Sequence, residues 1–171
     1  MIKIRPEHEG EHAKVRKVIV EAFGQENEAD LVEVIRKSED FIPGLSLVAV
    51  KDGELVGHIL FSPIKIETSD SDVSILTLAP VAVRPAFQNQ GVGSELVRKG
   101  LEECRRLGHR IVVVVGHPDY YPRFGFAPAG AEGLEASLEV PDEAFMVLEL
   151  EPGALEGISG VARFPKAFET V

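Results

Sequence analysis

The stretch from Arg84 to Ser94 reads Arg-Pro-Ala-Phe-Gln-Asn-Gln-Gly-Val-Gly-Ser and lies between an apolar strand pattern and the first apolar residues of a helix pattern. Glycines in such a place let the main chain approach an anion closely. The amides at a helix head, with the helix dipole behind them, favour negative charge there. The combination suits a diphosphate, although a purely structural turn would use the same residues. Spacing excludes two familiar cradles. A dinucleotide fingerprint requires glycine where Leu96 stands, and a P-loop requires Gly-Lys-Ser/Thr, which occurs nowhere in the chain.

A second pattern, His8-Glu9-Gly10-Glu11-His12, matches H-E-x-x-H, in which two histidines one helical turn apart bind zinc and the glutamate activates water. Gly10 weakens the helix this requires, and only Glu28 or Glu33 could be nominated as a third ligand. A zinc hydrolase is therefore the lesser reading, and we expect no metal. Cys104 is the single cysteine, so it can form neither an internal disulfide nor a cysteine cluster, and its place on an apolar helix face marks a packed thiol. His58 and His117 could serve a site as bases but read better as structural histidines. Glu28 and Glu67 are no better placed, and Arg98 and Lys99 read as solvated.

The elements that must position these residues belong to a chain of 171 residues, 44% hydrophobic and 27% charged, the size of one domain. We expect a single domain over residues 1–171, with 152–171 as a C-terminal extension. The longest apolar run, Ile111 to Val115, is far too short to span a bilayer. The start, Met1-Ile2-Lys3-Ile4-Arg5-Pro6-Glu7, carries charges where a secretory signal would be apolar, which points to a cytoplasmic protein. Eighteen Lys plus Arg against 28 Asp plus Glu give a net charge of −10. That field repels nucleic acid and attracts cationic substrates such as amines, although an acidic balance also serves solubility.

Alternation predicts a first strand at Ile2–Arg5 ending at Pro6, and helical spacing predicts a helix carrying Val15, Val18, Ile19, Ala22 and Phe23. A second helix follows with Leu31, Val34 and Ile35. Leu47–Val50 and Leu55–Phe61 flank Asp52-Gly53, a pair suited to a type I′ hairpin turn. Ile75 to Val83 reads as a central strand with a bulge or lapse of pairing at Pro80. A helix carrying Val92, Leu96, Val97, Leu101, Cys104 and Leu107, capped by Gly108, leads to the strand Ile111–Val115, and this βαβ order predicts parallel neighbours. Leu134–Val140 and Ala144–Leu150 are expected to form an antiparallel hairpin about Pro141-Asp142-Glu143. Phe164 and Phe168 are the expected anchors of a tail that no pattern places.

Gln88-x-x-Gly91-x-Gly93, preceded by Val81-Ala82-Val83-Arg84-Pro85 and followed by an amphipathic helix, resembles the acetyl-CoA motif of the GNAT superfamily of N-acetyltransferases. Tyr121-Pro122-Arg123-Phe124-Gly125-Phe126 is similar to that superfamily's Tyr-x-x-x-Gly-Phe segment at the expected distance. The element order matches over nearly the whole chain. Leu78-Ala79-Pro80-Val81-Ala82-Val83 with Gly116-His117-Pro118-Asp119-Tyr120-Tyr121 looks closest to a bacterial branch of predicted acetyltransferases.

The resemblance implies an α/β, GNAT-type acyl-CoA N-acyltransferase fold, a central mixed twisted sheet with helices on both faces. It implies that acetyl-CoA is the donor, that the backbone at Val81, Ala82 and Val83 meets the pantetheine, and that Gln88, Asn89, Gln90, Gly91, Val92, Gly93 and Ser94 wrap the pyrophosphate. It places Tyr121 as general acid, chosen over Tyr120 by the four-residue spacing to Gly125. The family's asparagine ahead of the short helix is replaced here by Gly116-His117-Pro118-Asp119. The implied activity is direct acetyl transfer to a primary amine, small-molecule or peptide, in a ternary complex, and the resemblance admits a homodimer. A non-catalytic CoA-binding regulatory module is the alternative within the same fold.

Overall fold

The computed structural model describes residues 1–171. Nine strands and three α-helices follow one another as β1 (Ile2–Pro6), α1 (His12–Phe23), α2 (Asn27–Arg36), β2 (Ser46–Lys51), β3 (Glu54–Glu67), β4 (Asp72–Val83), α3 (Val92–Arg106), β5 (Ile111–Val115), β6 (Ala127–Pro128), β7 (Leu134–Ala136), β8 (Phe145–Glu149) and β9 (Gly160–Arg163). They form two compact units, and β3, β4 and α3 each run through both.

The first unit contains residues 1–62, 79–103 and 170–171. Its strands are ordered β1-β2-β3-β4, with β1–β2 and β2–β3 antiparallel. Asp52 and Gly53 take φ of 51° and 81°, the positive pair that a type I′ turn demands, so the turn residues set the register Lys51↔Glu54. Beyond Val50↔Leu55 the register shifts and Val56 is left over as a bulge in β3. Helices cover both faces of this unit. Gly100 of α3 lies against Phe61, whose Cε1 would stand 2.3 Å from any Cβ at position 100, so only glycine lets the helix sit so close. On the opposite face Arg36 of α2 reaches Glu7. α1 is tied to α2 by Arg16, whose guanidinium contacts Glu26, Asp30 and Glu33. The expected stripes hold at Val15, Val18, Ile19, Leu31 and Ile35, but Phe23, at the last position of α1, is exposed, and Val34 is 53% exposed while Val32 takes its place in the core.

The second unit contains residues 63–78 and 104–169. Ile111–Val115 is a β-branched run covered on both faces, and it pairs in parallel with β4 through Leu76↔Val112, Thr77↔Val113 and Leu78↔Val114. Helix α3 ends in this unit as expected. Gly108 adopts φ 88°, its N–H donates to Arg105 O and the His109 N–H donates to Cys104 O, a Schellman arrangement. Ile64, Ile66, Ile75, Val113, Leu134 and Phe145 belong to its core.

The C-terminal hairpin expected from alternation does not form. β8 pairs antiparallel with β5 on one side and with β6 on the other, so both its edges are occupied. β7 covers only Leu134–Ala136 and lies parallel to β9, a strand drawn from the tail that also pairs antiparallel with Lys65–Glu67 of β3. Pro141-Asp142-Glu143 opens a 3-10 turn over Asp142–Ala144 rather than a hairpin. Period-two alternation specified extended chain but not its partner. Phe164 and Phe168 do anchor the tail, stacking edge to face at 5.5 Å, with Phe164 also 6.3 Å from Phe145.

Gly160 makes the docking of β9 feasible. It has φ 154°, and a Cβ there would stand 2.0 Å from the Glu67 carbonyl oxygen. Gly160→Ala should therefore destabilise the protein by roughly 2 kcal/mol or more in urea unfolding. Gly157→Ala, at φ 75° but facing open space, should cost only the roughly 1 kcal/mol of left-handed strain. Equal losses would mean that the close approach of β9 to Glu67 does not hold the tail.

Candidate active site

Residues 81–94 are continuous within the first unit. Val81 and Val83 are half-buried and Ala82 is buried on the last turn-ward part of β4, after which the Arg84 N–H donates to Val56 O at 2.9 Å. A 3-10 turn over Pro85–Phe87 follows, then Asn89 and Gly91 at φ 63° and 84° swing the chain into the head of α3. Two left-handed residues so close together are what reverse a strand into a helix in so few steps. The Glu95 N–H donates to Gly91 O at 3.0 Å, so the Val92 and Gly93 amides stand ahead of that bond at the helix head. Space beside Gly91 is open, with no atom within 4 Å of a built Cβ.

Side chains brace this turn from within. Gln88 Nε2 donates to Val83 O at 2.9 Å and Gln90 Nε2 to Ala86 O at 3.3 Å, so both amides hold the loop's shape. Lys51 Nζ donates to Gln90 Oε1 at 3.2 Å and lies 5.7 Å from the Phe87 ring centre, and the Arg84 guanidinium lies 5.9 Å from the same ring. Sequence spacing could not reveal this Lys51 contact, because the lysine arrives from the β2–β3 hairpin 39 residues earlier. Backbone amides at the helix head, open space beside Gly91 and a nearby ammonium group form an environment suited to an anionic phosphate ester.

Tyr121 lies in the second unit, at the start of a 3-10 turn over Tyr121–Phe124 that ends at Gly125 with φ 101°. Its ring is 6% exposed and sits edge-on to Tyr120 at 5.1 Å and to Phe126 at 5.7 Å. Gly116 leaves room for it, since a Cβ there would stand 2.4 Å from Tyr121 Cε2. Burial, helped by Tyr120, pushes the Tyr121 hydroxyl up to about 12, so it carries its proton throughout the ordinary pH range.

His58 is not a base. It is fully buried, its Nε2 is 2.9 Å from Ser46 Oγ, Ser46 donates to Glu7 Oε1 at 2.8 Å, and Arg36 grips Glu7 through bonds of 3.1 and 2.9 Å. Ser46 has one proton and gives it to a carboxylate, so His58 must donate from Nε2, which leaves Nδ1 as an unpartnered buried acceptor. Desolvation, with a smaller push from Arg36 opposed by Glu7, lowers His58 to about 4. Glu67 is taken by Arg163, and Glu28 is nine-tenths buried against Gln25 Nε2 at 2.9 Å. His117 is exposed, and its carbonyl receives the Tyr120 N–H at 3.1 Å. Cys104 is buried as expected, and Arg98 and Lys99 lie near Glu95 and Glu102 at 3.5 and 3.6 Å on the exposed face of α3.

The H-E-x-x-H pattern does not form its zinc geometry. His8 lies in extended backbone ahead of a 3-10 turn while His12 opens α1, so the two are not one helical turn apart. Arg5 engages Glu11 at 2.8 and 2.9 Å and, with the His8 amide, holds its carboxyl at about 2. No group of three His, Cys, Asp or Glu side chains is arranged to hold a metal ion.

A mixed sheet with helices on both faces, its fourth strand turning into a helix head, is the architecture of an acyl-CoA N-acyltransferase. A family model described as an acetyltransferase (GNAT) domain matches residues 3–129, and the chain belongs to the GNAT acetyltransferase family. The uncharacterized N-acetyltransferase YjhQ of Escherichia coli is 43% identical over 130 residues, 75% of this chain and 72% of that protein. The crystal structure of E. coli YhbS, a GNAT family N-acetyltransferase in complex with CoA, superposes with a TM-score of 0.90 at 30% identity over 98% of this chain and 91% of that one. A Brucella melitensis GNAT acetyltransferase in complex with acetyl-CoA gives a TM-score of 0.79 at 31% identity, covering 98% of each chain.

The buried histidine yields a test by pH. Its folded value lies below the unfolded 6.5, so its contribution is complete above pH 6.5 and lost as pH falls toward 4. Unfolding free energy should drop by roughly 3 kcal/mol across that window. The Glu11 carboxyl, depressed to about 2, acts lower, below pH 4.5. Urea titrations of a non-titrating His58→Asn variant should show the upper step gone and the lower one retained.

Proposed function

We propose that this chain binds acetyl-CoA along residues 81–94 and transfers the acetyl group to a primary amine by direct attack in a ternary complex. The observation that carries this reading is the turn from β4 into α3, where positive φ at Asn89 and Gly91 sets amides and open space at a helix head. That turn lies within the part of the chain matched by the acetyltransferase family model, and relatives of similar fold hold CoA or acetyl-CoA.

In this reading the main chain of Val81, Ala82 and Val83 hydrogen-bonds the pantetheine arm, and Gln88 through Ser94 surround the diphosphate. Bound acetyl-CoA supplies an activated thioester. An alkylammonium acceptor must first lose a proton, at roughly 4.6 kcal/mol at pH 7, so an exposed base or a water relay assists. The Val81 N–H is the donor for the oxygen that gains negative charge, because Pro80 has none to offer. Tyr121, protonated at every working pH, gives its proton to the departing sulfur.

Calorimetry with acetyl-CoA and free CoA tests the donor site, and thiol release across a panel of amines tests transfer. Tyr121→Phe should lower kcat by ~10² to 10⁴ while leaving CoA affinity within about threefold of the parent. Unchanged kcat, with chemistry limiting, would remove Tyr121 as the acid. Binding of acetyl-CoA without transfer to any amine would favour the regulatory-module alternative.

A further inference from the structure

In the second unit a cleft of about 1070 Å³ is formed by residues 128–145 and 159–161. Four of its lining residues are acidic, Glu135, Glu139, Asp142 and Glu143, and none of its lining residues is Lys, Arg or His. All four carboxylates are exposed, and none takes part in an ion pair or hydrogen bond found in the structure. Much of the apolar lining comes from the alternating run Leu134–Val140, which the sequence pattern pairs with Ala144–Leu150. Because β8 pairs elsewhere, Leu138 and Val140 stay half-buried beside the buried Leu134 and Phe145.

The three residues of β7 all line this cleft, and β9 is the only strand that β7 pairs with. On its other edge the Leu134 N–H already donates to Ala129 O at 3.1 Å, which leaves the Leu134 carbonyl and the Ala136 N–H and carbonyl for a further strand to use. The volume lies just above the ~300–1,000 Å³ usual for small-molecule pockets. A partly open strand edge suits an extended chain better than a compact ligand.

We propose that this acidic-rimmed apolar cleft beside β7 docks an extended basic peptide segment, its lysine or arginine side chains meeting Glu135, Glu139, Asp142 and Glu143 and its apolar side chains resting on Leu138 and Val140. Complementarity excludes an acidic partner, which four uncompensated carboxylates would repel. The inference requires no particular acetyl donor, so its failure would leave the donor reading untouched.

Fluorescence anisotropy with the full chain and a labelled eight-residue peptide alternating lysine and valine tests it. Binding should appear at low salt and weaken as salt rises, and the peptides with glutamine or glutamate in place of lysine should bind at least about tenfold more weakly. The combined variant Glu135→Gln, Glu139→Gln, Asp142→Asn, Glu143→Gln should lose about tenfold in affinity with an unchanged thermal midpoint and unchanged acetyl-CoA binding. Leu138→Ser, carrying all four carboxylates, should weaken the peptide too. Absence of binding to the parent protein, equal binding of the glutamine peptide, or full competition by spermidine at the peptide's own concentration would each overturn the proposal. The first denies a docking surface, the second denies a cationic partner, and the third reduces recognition to charge alone.

Discussion

The reversal from β4 into α3 is the constraint on which the proposed donor site depends. Between Val83 and Val92 the chain turns from strand to helix, and Asn89 and Gly91 enter the left-handed region to make that turn. The same reversal leaves the Val92 and Gly93 amides at the head of a fifteen-residue helix and open space beside Gly91, so one backbone event provides both the room and its polarity. Everything around it supports that path. Gln88 and Gln90 stitch the loop to Val83 and Ala86, the Arg84 amide ties it to the bulged Val56 of β3, and Gly100 lets α3 lie flat on Phe61.

Most of this was legible in the sequence because its causes are local. Asp52-Gly53 dictates its own turn, Gly108 its own cap, and Ile111–Val115 its own buried strand. Gln88-x-x-Gly91-x-Gly93 encodes a backbone path, and such paths are written in the residues that follow them. What resisted reading was pairing between distant segments. Nothing in Leu134–Val140 says that β6 already occupies the edge of β8, and nothing in the glycine-rich tail says that Gly160–Arg163 is a strand until Glu67 is there to receive it. Val34 failed for a milder reason: one residue at the border of a stripe can face either way, and Val32 was the one the core took.

Histidine readings show the same division. His58 could be judged structural from its strand, but its reason lies in Glu7, Ser46 and Arg36, drawn from the loop after β1, from β2 and from α2. A carboxylate fixed by arginine orients the serine, the serine fixes the imidazole tautomer, and burial keeps the ring neutral. The chain of bonds joins the residue after β1 to β2, β3 and α2, at the cost of one unsatisfied nitrogen. The rival zinc motif failed through an equally concrete cause: H-E-x-x-H has meaning only on a continuous helix, and here the backbone enters the helix only at the second histidine.

The antiparallel seam pairs Glu67 with Val161, residues far apart along the chain. Chain that far downstream must diffuse back across a long loop before it gains its contacts, and such closures come late relative to hairpins and helices. Until then Lys65–Glu67 and Leu134–Ala136 both lack the neighbour they share, leaving raw strand margins on the half of the molecule that bears Tyr121. Maturation of that half thus hinges on a latecomer, and crowding among partly folded copies is the hazard it carries.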